Sequence, residues 1–216
     1  MPDSSEFDPL AVENVGVTLA VELLQQPTVP FPPTERFTGP GVYALYYSGN
    51  HPAYAPLVQL DAGRARYPVY VGRAARAQAN QGFSPRPSTD TELYTRLRSH
   101  YRSVRQTTTL DIEHFCVRYL VLKPAYINLA ESVLIMAFRP PWNGMGLGSN
   151  PTGEPRMAGL GSLWDSLHPG RAGRPAGGEE RAREAAELIA SRVAQLHEPS
   201  PDPIIERMHE RIMKFV

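Results

Sequence analysis

The sequence has one cysteine, Cys116, which excludes a disulfide framework and a cysteine-rich zinc site. Its apolar runs are short, and none approaches the roughly 18 residues that a membrane-spanning helix needs. The first ten residues are acidic and lack the basic and then apolar pattern of a secretory signal. From these absences we expect an intracellular protein without membrane segments.

Lysine is almost absent, because the chain has two lysines among its 22 basic residues. The 22 acidic residues balance these charges, which excludes a uniformly basic nucleic-acid-binding tail. The charges are unevenly distributed: residues 64–105 hold nine arginines and two acids, whereas residues 1–36 hold six acids and one arginine. Arginine suits bidentate contacts with phosphate and the guanine edge, so the cluster predicts a polyanion-binding surface. A solvated face, encoded by a gene that favours arginine codons, is the plainer alternative.

The apolar pattern predicts one mixed α/β or α+β domain with extra segments at both ends. We interpret residues 1–36 as an N-terminal arm, 37–171 as the domain and 172–216 as a C-terminal helical extension. Strands are predicted at 41–47, 67–72 and 114–122, with a long loop over 48–66. Helices are predicted at about 91–105, 125–138, 179–197 and 203–216.

The helix at 91–105 carries a pair of residues suited to phosphate chemistry. Its buried stripe is predicted to consist of Leu93, Leu97, Tyr101 and Val104. Arg96 and His100 are four residues apart, so they share one face at the edge of this stripe. Two potentially cationic side chains make a poor structural pair but a sensible one for holding and activating a phosphodiester. A solvated pair at the helix edge is the alternative.

Three further features are candidates for the same site. Glu131 lies on the apolar stripe of the helix at 125–138, where a carboxylate is costly unless it is paired with an arginine or bound to a metal such as Mg²⁺. Asn143 follows in the motif PPWN and either orients a metal or phosphate or caps the turn. Tyr43 and Tyr70 lie on the first two strands, where physical reasoning alone does not separate catalysis from packing.

Taken in order, these residues resemble the GIY-YIG nuclease superfamily over residues 40–145. Gly41-Val42-Tyr43 replaces GIY, Tyr70-Val71-Gly72 replaces YIG, and Arg96, His100, Glu131 and Asn143 match the remaining signature positions. Both signature isoleucines are valine, a conservative change on a strand, and the loop between the two strands is long. Residues 143–171 resemble the type II restriction endonucleases of this superfamily, in particular those that cut CCGCGG.

The resemblance implies a small domain with a three-stranded, mainly antiparallel sheet flanked by helices. It also implies Mg²⁺-dependent hydrolysis of double-stranded DNA, with Mn²⁺ as a substitute, and with the metal bound by Glu131. Tyr43 would help to activate water beside His100, Arg96 and Tyr70 would stabilise charge on the phosphate, and Asn143 would support the phosphate or the metal. Whether Tyr43 or His100 is the general base, and whether Arg96 or Arg98 is the catalytic arginine, both stay open.

Sequence-specific binding requires contacts with base edges, for which we nominate four arginines: Arg73, Arg98, Arg156 and Arg171. A palindromic target cut on both strands implies a homodimer. We expect no small-molecule cofactor and no membrane partner. The expected location is the bacterial cytoplasm. A repair or homing nuclease and a non-catalytic nucleic-acid-binding module are the alternatives. A pure binding module has no need of Glu131, so the intact set favours an enzyme.

Overall fold

The computed structural model describes residues 8–75, 89–148 and 161–215. In these ranges it contains a four-stranded sheet, whose strands are β1 (Val29–Pro30), β2 (Gly41–Tyr47), β3 (Tyr70–Ala74) and β4 (Phe115–Val121). The helices are α1 (Val12–Gln25), α2 (Ala55–Asp61), α3 (Glu92–Arg105), α4 (Pro124–Phe138), α5 (Leu163–Leu167), α6 (Gly178–Ala194) and α7 (Pro203–Met213). The expected α+β class is confirmed, and the two-residue strand β1 is added to the three predicted strands.

The sheet has the order β1-β4-β2-β3, and all neighbouring strands are antiparallel. All seven residues of β2 are buried, because helices cover both faces of the sheet. Side chains alternate between the faces along a strand. The odd-numbered positions from 43 to 47 enter one core cluster, and the even-numbered positions from 42 to 46 enter the other. The central strand β2 is therefore enclosed on both faces, whereas β3 lies at one edge of the sheet.

Two helical layers enclose the sheet. Helices α2, α3, α5 and α6 contribute to the core on the face that receives Tyr43, and helices α1, α4 and α7 form the opposite core. Helix α1 packs against α4 and α7 and buries Val17, Ala20 and Leu23, so this part of the N-terminal segment belongs to the packed body. No helix in the described ranges is long and apolar enough to cross a bilayer.

The prediction of a long loop over 48–66 is wrong. The structure has a 3-10 turn at Pro52–Tyr54 that continues directly into α2. The two prolines of this segment read as helix breakers, yet each lies in a first turn, where the missing N–H costs nothing. After α2, the Asp61 carboxylate accepts hydrogen bonds from the backbone N–H groups of residues 65–67. These bonds hold the chain in a turn and delay the start of β3 until Tyr70.

Candidate active site

A cleft of about 720 Å³ opens beside the edge strand β3. It brings together residues from three elements, since Tyr70 and Arg73 come from β3, Arg96 from α3 and Glu131 from α4. Because side chains alternate along a strand, Tyr70 and Arg73 leave β3 on opposite faces. Tyr70 therefore meets α3, and Arg73 meets α4, at one cleft that extends around the edge of the sheet.

Tyr43, Tyr70 and His100 form a cluster of three rings at this cleft. The ring centroids of Tyr43 and Tyr70 are 6.1 Å apart, and those of His100 lie 5.7 Å from Tyr43 and 5.3 Å from Tyr70. Tyr70 lines the cleft, whereas Tyr43 and His100 are 0% and 2% exposed. Among the described residues, neither the Tyr43 hydroxyl nor the His100 Nε2 atom has a hydrogen-bond partner. The cluster therefore holds two polar atoms that are enclosed behind Tyr70, and Arg96 and Tyr70 both act on the Tyr43 hydroxyl.

Two glycines make room for the tyrosine hydroxyls. Gly72 is paired with Tyr43 across the β2–β3 ladder, and a Cβ at this position would lie 2.5 Å from the Tyr43 hydroxyl oxygen. A Cβ at Gly148 would collide with the Tyr70 hydroxyl. Both positions are close approaches of backbone to a site side chain, so any larger residue would displace a tyrosine.

Burial determines the protonation states in this cluster. It raises the pKa of Tyr43 well above its usual value, with Tyr70 adding to the rise and Arg96 partly opposing it. Burial also raises the pKa of Tyr70, again with Arg96 as the opposing charge. Burial together with the positive charges of Arg96 and Arg171 lowers the pKa of His100 to about 3. At neutral pH the imidazole is therefore uncharged, and both tyrosines are protonated.

The structure separates the two candidate arginines of α3. Arg96 is partly buried in the cleft, and its Nη2 atom donates a 2.7 Å hydrogen bond to the carbonyl oxygen of Gly148. Arg98 is exposed and lies over the ring of Tyr94, 5.8 Å from its centroid. Only Arg96 of this pair lines the cleft, so the charge of Arg96 is available to a group bound there.

Glu131 is paired with an arginine that the sequence analysis assigned to DNA. Arg73 Nε lies 2.6 Å from Glu131 Oε2, and the two side chains are 43% and 26% exposed. Among the described residues, no group of three or more His, Cys, Asp or Glu side chains is arranged to hold a metal. Mg²⁺ is often bound through one or two carboxylates together with substrate phosphates and water, and Glu131 in the cleft fits this pattern.

Asn143 contacts the backbone of β3. Its Oδ1 accepts a 3.0 Å hydrogen bond from the Val71 N–H, and its Nδ2 donates a 2.8 Å bond to the Val71 carbonyl. The preceding Trp142 N–H donates to the Val69 carbonyl at 2.9 Å. Residues 142–143 therefore complete the outer edge of β3, and Asn143 fixes the strand between Tyr70 and Arg73. A turn cap would bond to a backbone group of its own turn, whereas the partner of the Asn143 side chain is 72 residues away in sequence.

The structure gives Arg171 a role other than DNA contact. Its buried guanidinium bonds to both carboxylate oxygens of Asp165, at 2.6 and 2.8 Å, and to the carbonyls of Gly146 and Leu147. Only 5% of this side chain is exposed, so it offers almost no surface to a DNA strand, and the nomination of Arg171 is corrected to a structural ion pair. Arg156, nominated on the same grounds, lies outside the described residues.

The sequence did not predict the hydrogen bond between Arg96 and Gly148 or the ion pair between Asp165 and Arg171. The serine and aspartate of the motif GSLWD were the available signal, because Ser162 caps α5 by accepting from the Asp165 N–H. That signal predicts a helix start and does not identify Arg171 as the partner of Asp165.

The sheet thus carries a tyrosine on each of two paired strands, beside one helix with an arginine and a histidine and a second helix with a glutamate. A sequence model described as the Eco29kI GIY-YIG domain matches residues 35–196, which is 162 of the 216 residues. The chain therefore belongs to this family of restriction endonucleases, whose substrate is DNA. A search of curated proteins found no match.

Proposed function

We propose that the protein is a type II endonuclease that hydrolyses phosphodiester bonds of double-stranded DNA at a GC-rich palindrome such as CCGCGG, with Mg²⁺ as cofactor. The observation that carries the proposal is the convergence of Tyr70, Arg96 and Glu131 on one cleft, in ring contact with the buried Tyr43 and His100. A convergence of aromatic hydroxyls, one guanidinium and one carboxylate suits phosphoryl transfer.

Phosphate binding is assigned to Arg96 and Tyr70. Arg96 now donates to the carbonyl of Gly148, and it would exchange this neutral acceptor for a charged phosphate oxygen, to which hydrogen bonds are roughly twice as strong. The Tyr70 hydroxyl is protonated at neutral pH and donates to the same phosphate. A cation held by Glu131 would polarise the scissile phosphate as a Lewis acid. Exposed Arg73 and Arg98 are proposed to contact the DNA backbone or bases.

Proton acceptance is assigned to His100, with Tyr43 orienting the attacking water. The imidazole is uncharged at neutral pH because its pKa is lowered to about 3, which also makes it a weak base in the free protein. We propose that the anionic phosphate bound beside it raises this pKa in the complex, so that His100 accepts the proton there. The Tyr43 hydroxyl keeps its proton in the free protein and can both accept and donate a hydrogen bond. Asn143 acts on the reaction through Val71, by fixing the strand that carries Tyr70.

Two active sites related by two-fold symmetry can cut both strands of a palindrome in one binding event, so we propose a homodimer on DNA. The acidic N-terminal segment and the C-terminal helix α7 are the candidate interface elements. Sedimentation velocity with and without a palindromic duplex would test this assignment. A single monomeric species in both samples would contradict it.

The experiment that tests the function uses two plasmids, one with a single CCGCGG site and one without. Each is incubated with Mg²⁺ or with chelator, using the wild type, Glu131→Gln and the control Glu113→Gln, whose glutamate is exposed away from the cleft. We expect metal-dependent linearisation of the first plasmid by the wild type and by the control, and none by Glu131→Gln. Cutting of both plasmids would support the nuclease activity and reject CCGCGG as the recognition sequence. Binding without cutting would reject the enzyme in favour of a DNA-binding module.

A further inference from the structure

The strongest unexplained contact in the cleft is the ion pair between Arg73 and Glu131. The proposed metal ligand does not present a free carboxylate, because one of its oxygens accepts the Arg73 Nε–H at 2.6 Å. A guanidinium and a divalent cation carry the same sign of charge, so they compete for one carboxylate. We propose that Arg73 masks Glu131 until DNA is bound, and so couples metal loading to substrate binding; this inference rests on the metal role proposed for Glu131.

The backbone of Arg73 is fixed, whereas its side chain is able to move. Its Cα is paired with Val42 in the β2–β3 ladder, and the Asn143 bonds hold Val71 two residues earlier. The Arg73 side chain is 43% exposed and that of Glu131 is 26% exposed, so water reaches both charged groups when Arg73 rotates away. Arg73 therefore has a second position in solvent or against a phosphate, whereas Glu131 then needs a new cationic partner.

The DNA backbone supplies the competitor that releases Glu131. A phosphate entering the cleft offers Arg73 a bidentate anionic partner, which matches the guanidinium fork better than the single Nε bond to Glu131. Once Arg73 pairs with phosphate, Glu131 has both oxygens available to a cation. Linkage then requires that DNA raise the metal affinity and that the metal raise the DNA affinity by the same factor. Free enzyme would hold little metal, and would load it mainly on DNA.

The neighbouring arginine of the cleft does not perform this task. Arg96 is bonded to the carbonyl of Gly148, and the structure shows no ion pair between Arg96 and Glu131 among the described residues. Removing Arg73 therefore leaves Glu131 without its cationic partner, while the proposed phosphate ligand Arg96 is retained. This separation makes a single substitution at position 73 informative.

The test measures Mn²⁺ binding without DNA, by the electron paramagnetic resonance signal of the free ion. The variants are Arg73→Ala, Arg73→Lys, Glu131→Gln and the matched control Arg102→Ala, which removes an exposed arginine on the outer side of α3. An exposed ion pair of this kind implies that Arg73→Ala binds Mn²⁺ about 1.5- to 5-fold more tightly than the wild type. Arg73→Lys should bind with intermediate affinity, Arg102→Ala like the wild type, and Glu131→Gln only at background.

Equal Mn²⁺ affinity of Arg73→Ala and the wild type would overturn the proposal, and a lower melting temperature in that case would mark the pair as purely structural. An equal gain in Arg102→Ala would also overturn it, because net charge would then be the cause. If Glu131→Gln retains wild-type affinity, the proposal falls together with the metal role of Glu131. Failure of the plasmid assay alone, with Mn²⁺ binding as expected, would reject the proposed function and leave the competition at Glu131 intact.

Discussion

Replacing Asn143 by alanine separates two roles for this residue, contact with substrate and support of the edge strand. The substitution removes both side-chain hydrogen bonds to Val71, a residue with no exposed surface. Each bond contributes about 0.5–1.5 kcal/mol, and the two Val71 backbone groups cannot fully recover partners in water. We therefore expect a loss of about 2–3 kcal/mol in the free energy of unfolding, and at about 2–4 °C per kcal/mol a fall in Tm of about 4–12 °C.

Urea unfolding and plasmid cleavage should be measured on the same preparations of Asn143→Ala, Asn143→Asp and the control Asn128→Ala. Asn143→Asp keeps an acceptor for the Val71 N–H but sets a carboxylate against the Val71 carbonyl, so it should not restore stability. Asn128 is exposed on α4, and its replacement should change stability by less than about 0.5 kcal/mol. Wild-type unfolding of Asn143→Ala combined with lost cleavage would refute the reasoning, since the side chain would then act on the substrate.

Three further predictions use other parts of the structure. Gly148→Ala should lower kcat by about tenfold or more, because the new methyl group displaces the Tyr70 hydroxyl. A displacement of a site residue by about 1 Å is enough to slow the reaction strongly. An unchanged kcat in a plasmid time course would contradict this. Asp165→Asn should lower the free energy of unfolding, measured in urea, by about 3–5 kcal/mol, because it leaves the Arg171 charge buried without its partner. The control Glu184→Gln removes the exposed partner of Arg181 and should cost less than about 1 kcal/mol. Equal losses in the two variants would contradict burial as the cause. Burial lowers the pKa of His168 to about 3, so between about pH 6.5 and 3 this imidazole is protonated in the unfolded state only. The free energy of unfolding should therefore fall as the pH drops from 6.5 towards 3. At pH 5 this residue should account for a loss of about 2 kcal/mol. His168→Gln should therefore reduce the pH dependence of unfolding by about one proton, and an unchanged slope would show that this imidazole is not held neutral.

The sequence predicts those parts of the site that depend on local periodicity. Strand alternation correctly assigns Tyr43 and Val42 to opposite faces of β2, and helical spacing brings Arg96 to the edge of α3. Periodicity does not decide which side chain is buried at the border of the apolar stripe of α3, where positions 100 and 101 both lie. The structure buries His100 and leaves Tyr101 partly exposed, although the expectation was the reverse.

Contacts between distant segments are the part that periodicity cannot supply. Arg73 and Glu131 are 58 residues apart, and Asn143 and Val71 are 72 residues apart. Nothing in the local sequence states that an arginine after the second strand reaches a glutamate of α4. An irregular segment also hides burial, which is why Arg171 reads as a surface residue although it is enclosed with Asp165.

The edge position of β3 explains why these contacts occur together. A central strand such as β2 is covered on both faces, so its alternate side chains never meet the same ligand. At an edge, residues on opposite faces of the strand can both line a cleft that passes around it, as Tyr70 and Arg73 do. An edge strand also exposes unpaired backbone groups, and here Asn143 bonds to them. The same side chain thus protects the edge and fixes the spacing between the residue facing His100 and the residue facing Glu131. Strand pairing and site geometry should consequently fail together when Asn143 is replaced.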